Sequence, residues 1–169
     1  MSENRIEIGP YDYMDHFMSK AALICSVDKD EKPNVMALLW KTIWELFKSS
    51  KTIGELWMIP VITAAVAPSR YTFECLTKGA KEFTINIPSN KNDHAINTTG
   101  SMSGRNTDKF KQANLEIIPG KRTKVPTIKD CILSYECKII HECESGSMAS
   151  HRLFIGEILA AYASKEIVK

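Results

Sequence analysis

The sequence contains no long hydrophobic segment and no excess of one charge. Its apolar runs fall well short of the roughly 20 residues that a membrane-spanning helix needs. The chain has 22 Lys and Arg against 20 Asp and Glu, and the formal charge of +2 is too even for the broad basic surface of a nucleic-acid binder. We therefore expect neither a membrane nor a nucleic acid as a partner.

Paired cysteines and a signal peptide are also missing. The five cysteines are an odd number, lie far apart and form no Cys-x-x-Cys pair, which favours reduced thiols. They are Cys25, Cys75, Cys131, Cys137 and Cys143. Residues 1–6 mix charges with one isoleucine and lack the apolar stretch and cleavage site of a signal peptide. These features predict a cytoplasmic protein.

One predicted strand carries side chains that could bind a metal ion. Cys137, His141 and Cys143 share one face of a predicted strand and carry suitable donor atoms. A strand rises roughly 3.3 Å per residue, so the two cysteines would lie about 20 Å apart, too far to share one ion. We predict no metal site.

The length of 169 residues and the hydrophobic content of 44% predict one packed domain over residues 1–169. Apolar residues 21–27 and 34–40 flank a charged turn, which predicts a β-hairpin. Residues 61–67 lie between two prolines and predict a third strand. Residues 82–87 alternate between polar and apolar side chains and predict a fourth strand.

Between the third and fourth strands the sequence predicts a helix over residues 70–78. Ser69 is its expected N-cap, and Gly79 its expected left-handed residue at the C-terminus. From Cys131 to Cys143 the pattern has a period of two, which predicts a strand with one core face and one wet face. A last strand is expected at residues 153–162. Many short strands with two or three helices indicate a β-barrel with α additions.

One segment of the chain repeats itself. Residues 41–47 are echoed ten residues later by residues 51–57, which suggests a local duplication. The apolar side chains of both copies fall near helical spacing, so a helical excursion between strands is the expectation. An ordinary surface insertion at about residues 41–58 is the alternative.

Two loops carry candidate anion-binding groups. Residues 67–72 place Ser69, Arg70 and Thr72 at the start of a helix, where free N–H groups and the helix dipole favour an anion. The alternative is that Ser69 only caps the helix and Arg70 lies in solvent. Residues 101–110 form a polar loop with Arg105 and Lys109 one turn apart, which is either a second anion-binding element or a solvated connection.

His151 is the candidate for proton chemistry. It stands just before the apolar strand at residues 153–162, and an imidazole can donate a proton to a reducing centre near neutral pH. The alternative is a loop histidine without a function.

Taken in order along the chain, these segments resemble the flavin reductase-like FMN-binding split-barrel family, to which flavoredoxins and archaeal ferric reductases belong. The matching segments are Asn34 to Trp40, Pro68-Ser69-Arg70-Tyr71-Thr72, Asn86-Ile87-Pro88, Ser103-Gly104-Arg105 with Asp108-Lys109-Phe110, and the stretch that begins at His151. The resemblance covers about residues 21–160. It implies a mainly β fold with α additions, a Greek-key six-stranded split β-barrel that binds FMN.

The resemblance also implies residue roles. The cofactor-binding residues would be Asn34, Met36, Ala37, Leu38, Leu39, Trp40, Ser69, Arg70, Tyr71, Thr72, Asn86, Ser103, Gly104, Arg105 and Lys109, and the catalytic residue would be His151. The sequence departs from the family at Leu39, where Ser or Thr usually precedes the tryptophan, and at residues 41–58, where the family's connection is shorter. This leaves open whether the longer connection covers the flavin.

The activity implied by the resemblance is electron transfer from NADH or NADPH through FMN to free flavin, ferric iron or another acceptor. The alternatives are a flavoredoxin-type electron carrier that is reduced by a redox protein partner, and a non-catalytic FMN-binding protein. The family further implies a homodimer, for which Trp44, Phe47 and Trp57 are the expected contacts because aromatic residues are enriched at interfaces.

Overall fold

The computed structural model describes residues 4–49, 56–147 and 150–168. Strands and helices follow in chain order as β1 (Arg5–Ile8), α1 (Met14–Ser19), β2 (Ala22–Val27), β3 (Pro33–Leu38), β4 (Lys41–Ser49), β5 (Leu56–Val66), α2 (Tyr71–Lys78), β6 (Glu82–Pro88), α3 (His94–Ser101), α4 (Lys109–Gln112), β7 (Ile117–Ile118), β8 (Thr127–Ile128), β9 (Cys131–Glu144) and β10 (Arg152–Ser164). The predicted fold class, mainly β with α additions, is confirmed.

The large sheet has eight strands, and its pairs are antiparallel. Its path runs β3-β2-β6-β9-β10-β5-β4, with β1 added to β10, and β7 and β8 form a separate ribbon. The two distant strands β3 and β5 approach each other two residues after β3, where the Ala65 N–H donates to the Trp40 carbonyl at 3.0 Å. The six strands from β3 to β5 along this path therefore curl around one core, and β4 lies outside them.

Two apolar clusters fill the molecule. The larger one packs α1 and α2 against the strands, with Phe17 edge-on to Tyr135 at 5.4 Å between ring centroids and Phe73 edge-on to Phe154 at 5.8 Å. The smaller cluster lies on the other face of β2, beneath α3 and α4. Because both faces of β2 are covered, all six of its residues are buried, which explains its unbroken apolar sequence.

The predicted hairpin, the strands at residues 61–67, 82–87 and 153–162 and the helix after residue 70 are confirmed, with shifted ends. The helix ends at Lys78 with Gly79 following it, as predicted, but the predicted Ser69 cap and the left-handed conformation of Gly79 are wrong. Arg70, with extended backbone, precedes its first turn, and no side-chain cap is formed. Gly79 has φ −88°, so it is not left-handed. It is needed for space, because a Cβ there would overlap the Val27 carbonyl of β2.

The helical prediction for residues 41–58 is wrong, because residues 41–49 and 56–58 pair as strands. The β4–β5 ladder runs from Lys41 opposite Ala64 to Ser49 opposite Leu56, and residues 50–55 lie outside the described part. The apolar spacing is compatible with a helix, yet β-branched and aromatic side chains favour a pleated surface when a partner strand is present. The Trp44 indole bonds across the hairpin, its Nε1 donating to Thr63 Oγ1 at 2.7 Å.

The predicted wet face of β9 is correct only for the second half of the strand. From Cys131 to Cys137 every residue is buried, including Ser134 and Glu136. The loop before β8 covers this face, and the backbone N–H groups of Lys121, Arg122 and Thr123 donate to the Glu136 carboxylate at 3.0, 2.7 and 2.8 Å. A charged residue is buried here because it is fully hydrogen-bonded.

Within the described ranges no helix is long and apolar enough to cross a membrane.

Candidate anion-binding cavity

A cavity of about 250 Å³ lies where α2 begins, α3 ends and the loop before α4 folds back onto β3. Both polar motifs recognised in the sequence contribute to it. Its lining consists of Met36, Ser69, Arg70, Tyr71, Thr72, Thr99, Gly100, Ser101, Met102, Ser103, Gly104, Arg105 and Lys109. The chain therefore brings together two segments that are separated by about thirty residues of sequence.

The start of α2 supplies one wall. After β5 the chain turns, with the Arg70 N–H donating to the Ala67 carbonyl at 3.0 Å, and the helix begins at Tyr71. The first backbone N–H groups of a helix have no partner within it and attract an anion. The Tyr71 hydroxyl donates to Asp28 Oδ2 at 2.9 Å, which fixes the helix start to the β2–β3 turn. Thr72 is 1% exposed and its Oγ1 accepts from Asn34 Nδ2 at 3.0 Å.

Gly104 allows the opposite loop to approach closely. A Cβ at this position would overlap Asn34 Oδ1 and lie 3.0 Å from the Tyr71 ring. Only glycine therefore lets the loop rest directly on β3 and on the start of α2. Gly104 is also one of the residues that line the cavity.

Arg105 is held in place by three neighbours. Its guanidinium donates to the Ser69 carbonyl at 3.3 Å and to Glu74 Oε2 at 3.3 Å, and it lies 5.5 Å from the centre of the Tyr71 ring. These contacts join the second motif to the first. The guanidinium is thus fixed at the rim of the cavity before any ligand binds.

Lys109 is the buried cation of the site. It is 6% exposed, and its Nζ donates to the Thr99 carbonyl at 2.8 Å. Burial, and second the positive charge of Arg70, lower the pKa of Lys109 to about 8. An anion in the cavity would oppose both effects and stabilise the ammonium form.

The chemistry of the lining is that of an anion site. Three of the lining side chains are cationic, Arg70, Arg105 and Lys109, and no carboxylate is among them. The Thr99 hydroxyl oxygen is buried without a hydrogen-bond partner among the described residues. A ligand with several acceptor oxygens would satisfy the hydroxyl and the cations together.

The β3 residues predicted to contact the cofactor fall into two groups. Near the cavity, Met36 lines the wall and Ala37 packs beside Gly100 of α3. Leu38 is 2% exposed and belongs to the core, whereas Leu39 and Trp40 are 73% and 56% exposed. The strand therefore leads from the cavity to an exposed apolar corner.

His151 lies at that corner and not in the cavity lining. Its ring centroid is 4.6 Å from that of Trp40. The Nδ1 atom is buried and has no hydrogen-bond partner within the described ranges. Ser145 fixes the backbone, since both its N–H and its hydroxyl donate to the His151 carbonyl, at 3.1 and 2.7 Å.

Asn86 forms hydrogen bonds within the core. Its side-chain Nδ2 donates to the Leu23 carbonyl at 3.3 Å and to Thr84 Oγ1 at 3.1 Å, and its Oδ1 accepts from the Ile128 N–H at 3.0 Å. It is fully buried and is not part of the cavity lining. Its amide joins β2, β6 and β8, so the structure gives it a packing role and no contact with the cavity.

Sequence reasoning missed part of the lining. The sequence motifs do not include Thr99 and Gly100, and they include Ser101 and Met102 only as part of a polar loop. The available signal was the run of small polar residues 98–101 next to the second motif. These residues reach the cavity because α3 ends against β3, which the sequence does not show.

Among the described residues no group of His, Cys, Asp or Glu side chains is suited to hold a metal ion.

The fold and the cavity together define a β-barrel domain that can hold an anionic ligand beside one barrel strand. The flavin reductase-like domain model matches residues 14–169, and the chain belongs to this family.

Three similar proteins illustrate the match. An uncharacterised protein of Archaeoglobus fulgidus is 34% identical over 129 residues, which are 76% of this chain and 64% of that protein. The chain thus spans less than two thirds of this relative. A flavoredoxin of Desulfovibrio vulgaris (Miyazaki F) is 28% identical with a TM-score of 0.71, over 88% of this chain and 72% of that one.

The third is a split-barrel domain protein from Shewanella frigidimarina, with a TM-score of 0.71 at 19% identity over 91% of this chain and 74% of that one. At this identity the similarity concerns the fold alone. It confirms the predicted split barrel.

Proposed function

We propose that this chain binds FMN and acts as a flavin-dependent oxidoreductase, with the FMN phosphate in the anion-binding cavity. The observation that carries the proposal is the convergence of Arg70, Arg105 and Lys109 on one cavity beside β3, in a chain of the flavin reductase-like family. Like charges repel, so three cations around one space favour an anion between them.

The residues fit a phosphate group. Arg70 and Lys109 would neutralise its charge, and the N–H groups at the start of α2 would donate hydrogen bonds to its oxygens. The unpartnered Thr99 hydroxyl would donate to it. Ser69 and Ser103 line the same cavity and add hydroxyl donors.

The flavin ring would lie along β3 toward the exposed corner formed by Leu39 and Trp40. Met36 lines the cavity, and Trp40 is four residues further along the chain, about 13 Å in extended conformation. Bound FMN supplies the hydride and electron chemistry, and the chain supplies binding, orientation and electrostatics. Leu39 has no hydroxyl to offer the ring, so the backbone of residues 36–40 would provide the polar contacts.

His151 would provide the proton chemistry. Its ring lies beside Trp40 at the open end of β3, where a second substrate could approach from solvent. The expected electron donor is NADH or NADPH, and the acceptor is free flavin, ferric iron or another small molecule. His151→Ala should spare FMN affinity and slow turnover; normal turnover in this variant would remove His151 from the mechanism.

A flavoredoxin-type electron carrier is the second candidate function. The similarity to the Desulfovibrio flavoredoxin favours it, and so does the apolar corner at Leu39 and Trp40, which offers a surface to a redox protein partner. In this case the chain needs no nicotinamide site. The two functions share the FMN site and differ only in the source of electrons.

Absorbance spectroscopy separates the candidates. Purified protein is mixed with FMN, desalted, and then treated anaerobically with NADH, NADPH or dithionite. Retained flavin that bleaches with either nucleotide supports the reductase, and retained flavin that bleaches only with dithionite supports the carrier. Failure to retain flavin at micromolar protein would contradict both.

We further propose a homodimer that uses the β4–β5 hairpin. Trp44 and Met58 are 38% and 53% exposed and lie on opposite faces of the hairpin, because Trp44 pairs with Val61 and Met58 pairs with Phe47. Aromatic side chains are enriched at interfaces, so the face that carries Trp44 is the proposed contact. The side chains of Phe47 and Trp57, the other expected contacts, lie outside the described part. Light scattering should give twice the mass of 19.0 kDa, and Trp44→Glu should lower it to the monomer value.

A further inference from the structure

Asn34 of β3 is a buried amide that contacts the anion-binding cavity only through other residues. It is 4% exposed and does not line the cavity, but it touches Thr72 and Gly104, which do. It lies opposite Ser26 of β2 in the ladder. A hydrogen-bonded pair of buried polar groups can be replaced by apolar groups of the same shape at little cost. Packing alone therefore does not account for an amide at this position.

The Asn34 amide has a definite orientation. Its Nδ2 donates to Thr72 Oγ1 at 3.0 Å, and Ser26 Oγ lies 3.5 Å from the same nitrogen. Its Oδ1 is buried and faces Gly104 at the place where a Cβ would be, which in glycine holds a hydrogen. An oxygen suits this place, because it can accept a weak C–H···O contact and an NH₂ group cannot.

This orientation determines what the Thr72 hydroxyl can do. A hydroxyl can donate one hydrogen bond and also accept. Because Thr72 Oγ1 accepts from Asn34, its hydrogen points away from the amide, and within the described ranges no group accepts that hydrogen. Thr72 is 1% exposed and lines the cavity. The hydrogen is therefore available to a ligand in the cavity.

We propose that Asn34 is a positioning residue that keeps the Thr72 hydroxyl a hydrogen-bond donor towards the FMN phosphate. This inference rests on the proposed function, because it needs an anion in the cavity. Phosphate oxygens without a proton only accept hydrogen bonds, so a hydroxyl fixed as a donor fits them. Hydrogen bonds in a chain polarise one another, so the bond from Asn34 also strengthens the bond that Thr72 donates. Asn34 thereby favours FMN over riboflavin without touching either.

The test is the ratio of the dissociation constants of riboflavin and FMN, measured by flavin fluorescence on the full chain freed of flavin. Riboflavin has the same ring and no phosphate, so the ratio reports the phosphate contacts. Thr72→Val should lower the ratio about tenfold, and Thr72→Ser should retain most of it. Asn34→Ala should lower it about threefold or more, as expected for the loss of a neutral hydrogen bond.

Asn86→Ala is the matched control. It also removes a buried, hydrogen-bonded amide, but Asn86 lies outside the cavity lining, so the ratio should stay unchanged. If Asn86→Ala lowered the ratio as much as Asn34→Ala, a general loosening of the fold would explain both effects and the proposal would be wrong.

A double-mutant cycle separates positioning of Thr72 from support of the Gly104 loop. If Asn34 acts through Thr72, Asn34→Ala should change the ratio by less than about twofold in the Thr72→Val background. An equal loss in both backgrounds, or an unchanged ratio in Asn34→Ala alone, would overturn the proposal. A wild-type chain that binds both flavins equally would instead contradict the phosphate site of the proposed function, and this inference with it.

A measurement on the wild-type chain does not depend on how the variants fold. In ¹⁵N-edited NMR spectra, the side-chain amide protons of Asn34 should show stronger nuclear Overhauser effects to Thr72 than to Gly104. The reverse pattern would show that the amide oxygen faces Thr72. The Thr72 hydroxyl would then donate to Asn34 and not to a ligand, and the proposal would fail.

Discussion

The rings of Trp40 and His151 lie with their centroids 4.6 Å apart and their planes tilted by 40°. The pair joins the end of the strand that lines the anion-binding cavity to the loop before β10. The backbone of Trp40 is fixed because its carbonyl accepts from the Ala65 N–H. The backbone of His151 is fixed because its carbonyl accepts from the N–H and the hydroxyl of Ser145. Each ring is therefore attached to backbone that is held by hydrogen bonds.

Loss of the Trp40 ring should move His151. Trp40→Ala removes an aromatic contact worth about 0.5–1.5 kcal/mol, and the His151 ring then loses its neighbour. We expect its ring proton resonances to change in the NMR spectrum and turnover to fall as in His151→Ala. Trp40→Phe keeps a ring at the position and is the control. Unchanged His151 resonances in Trp40→Ala would show that the pair does not persist in solution.

Removal of the Arg70 guanidinium should weaken FMN binding. Arg70→Ala loses a hydrogen bond between charged groups, which corresponds to about 1.5–3 kcal/mol, or roughly 10- to 150-fold in Kd. Fluorescence quenching of FMN measures the change. Lys29→Ala, an exposed cation in the β2–β3 turn, is the control for net charge. Equal affinity of Arg70→Ala and wild type would place the phosphate elsewhere.

FMN affinity should fall as the pH rises through about 8. The pKa of Lys109 is lowered to about 8 in the free protein, so its charge is present below this pH and is lost above it. Bound phosphate, which is a dianion above its second pKa of about 6, favours the charged lysine and raises its pKa again. Binding then takes up a proton above about pH 8, and Kd should rise by up to about tenfold per pH unit.

Isothermal titration between pH 7 and 9.5 in buffers of different ionisation enthalpy measures this proton uptake. Lys109→Met should bind FMN more weakly at pH 7 and show a flatter dependence on pH. Riboflavin, which lacks the phosphate, should also show a flatter dependence in the wild-type protein. A wild-type Kd that is constant over this range would contradict the assignment of Lys109 to the phosphate.

The two glycines of the cavity should respond differently to alanine. At Gly104 a Cβ would overlap Asn34 Oδ1, so Gly104→Ala should push the loop away and weaken FMN binding by about tenfold or more. At Gly100 a Cβ would lie 3.5 Å from the Ala37 Cβ, an ordinary contact, so Gly100→Ala should fold and bind normally. Similar affinities of the two variants would mean that the loop adapts easily.

Glu136→Gln should destabilise the fold. The buried carboxylate accepts from the N–H groups of residues 121–123 and from the Thr123 hydroxyl, and an amide has one acceptor oxygen where the carboxylate has two. Unsatisfied buried donors cost about 1–3 kcal/mol. Urea unfolding measures the loss, and hydrogen exchange at residues 121–123 should accelerate. Glu144→Gln, at the exposed end of the same strand, is the control.

The sequence predicts most strands because prolines, glycines and charged turns bound them. It fails for residues 41–58 because Ile43, Leu46 and Phe47 fit a helical period, and only the partner strand β5 decides in favour of the ladder. It fails for Glu136 because a loop, not a strand or helix, covers that face of β9. Both errors concern contacts with a neighbouring segment of the chain, which the pattern of one segment alone does not show.

The candidate site could be predicted in part. Arg70, Arg105 and Lys109 are identified by their local motifs, because helix starts and polar glycine-containing loops are readable in a sequence. That they line the same cavity, that Thr99 joins them and that Asn86 does not are consequences of the way α3 and α4 pack on β3. The exposed fraction of Trp40 and its contact with His151 are likewise properties of the folded chain.

The β4–β5 hairpin also bears on how the chain can diversify. Residues 61–66 of β5 pair with β10 and belong to the barrel, whereas among the described strands residues 56–60 pair only with β4. Residue pairs could therefore be added or deleted at the outer end without changing the β5–β10 ladder. Two residues at a time keep the same side chains on each face. The length of the hairpin can thus differ between related chains while the barrel and its anion-binding cavity remain the same.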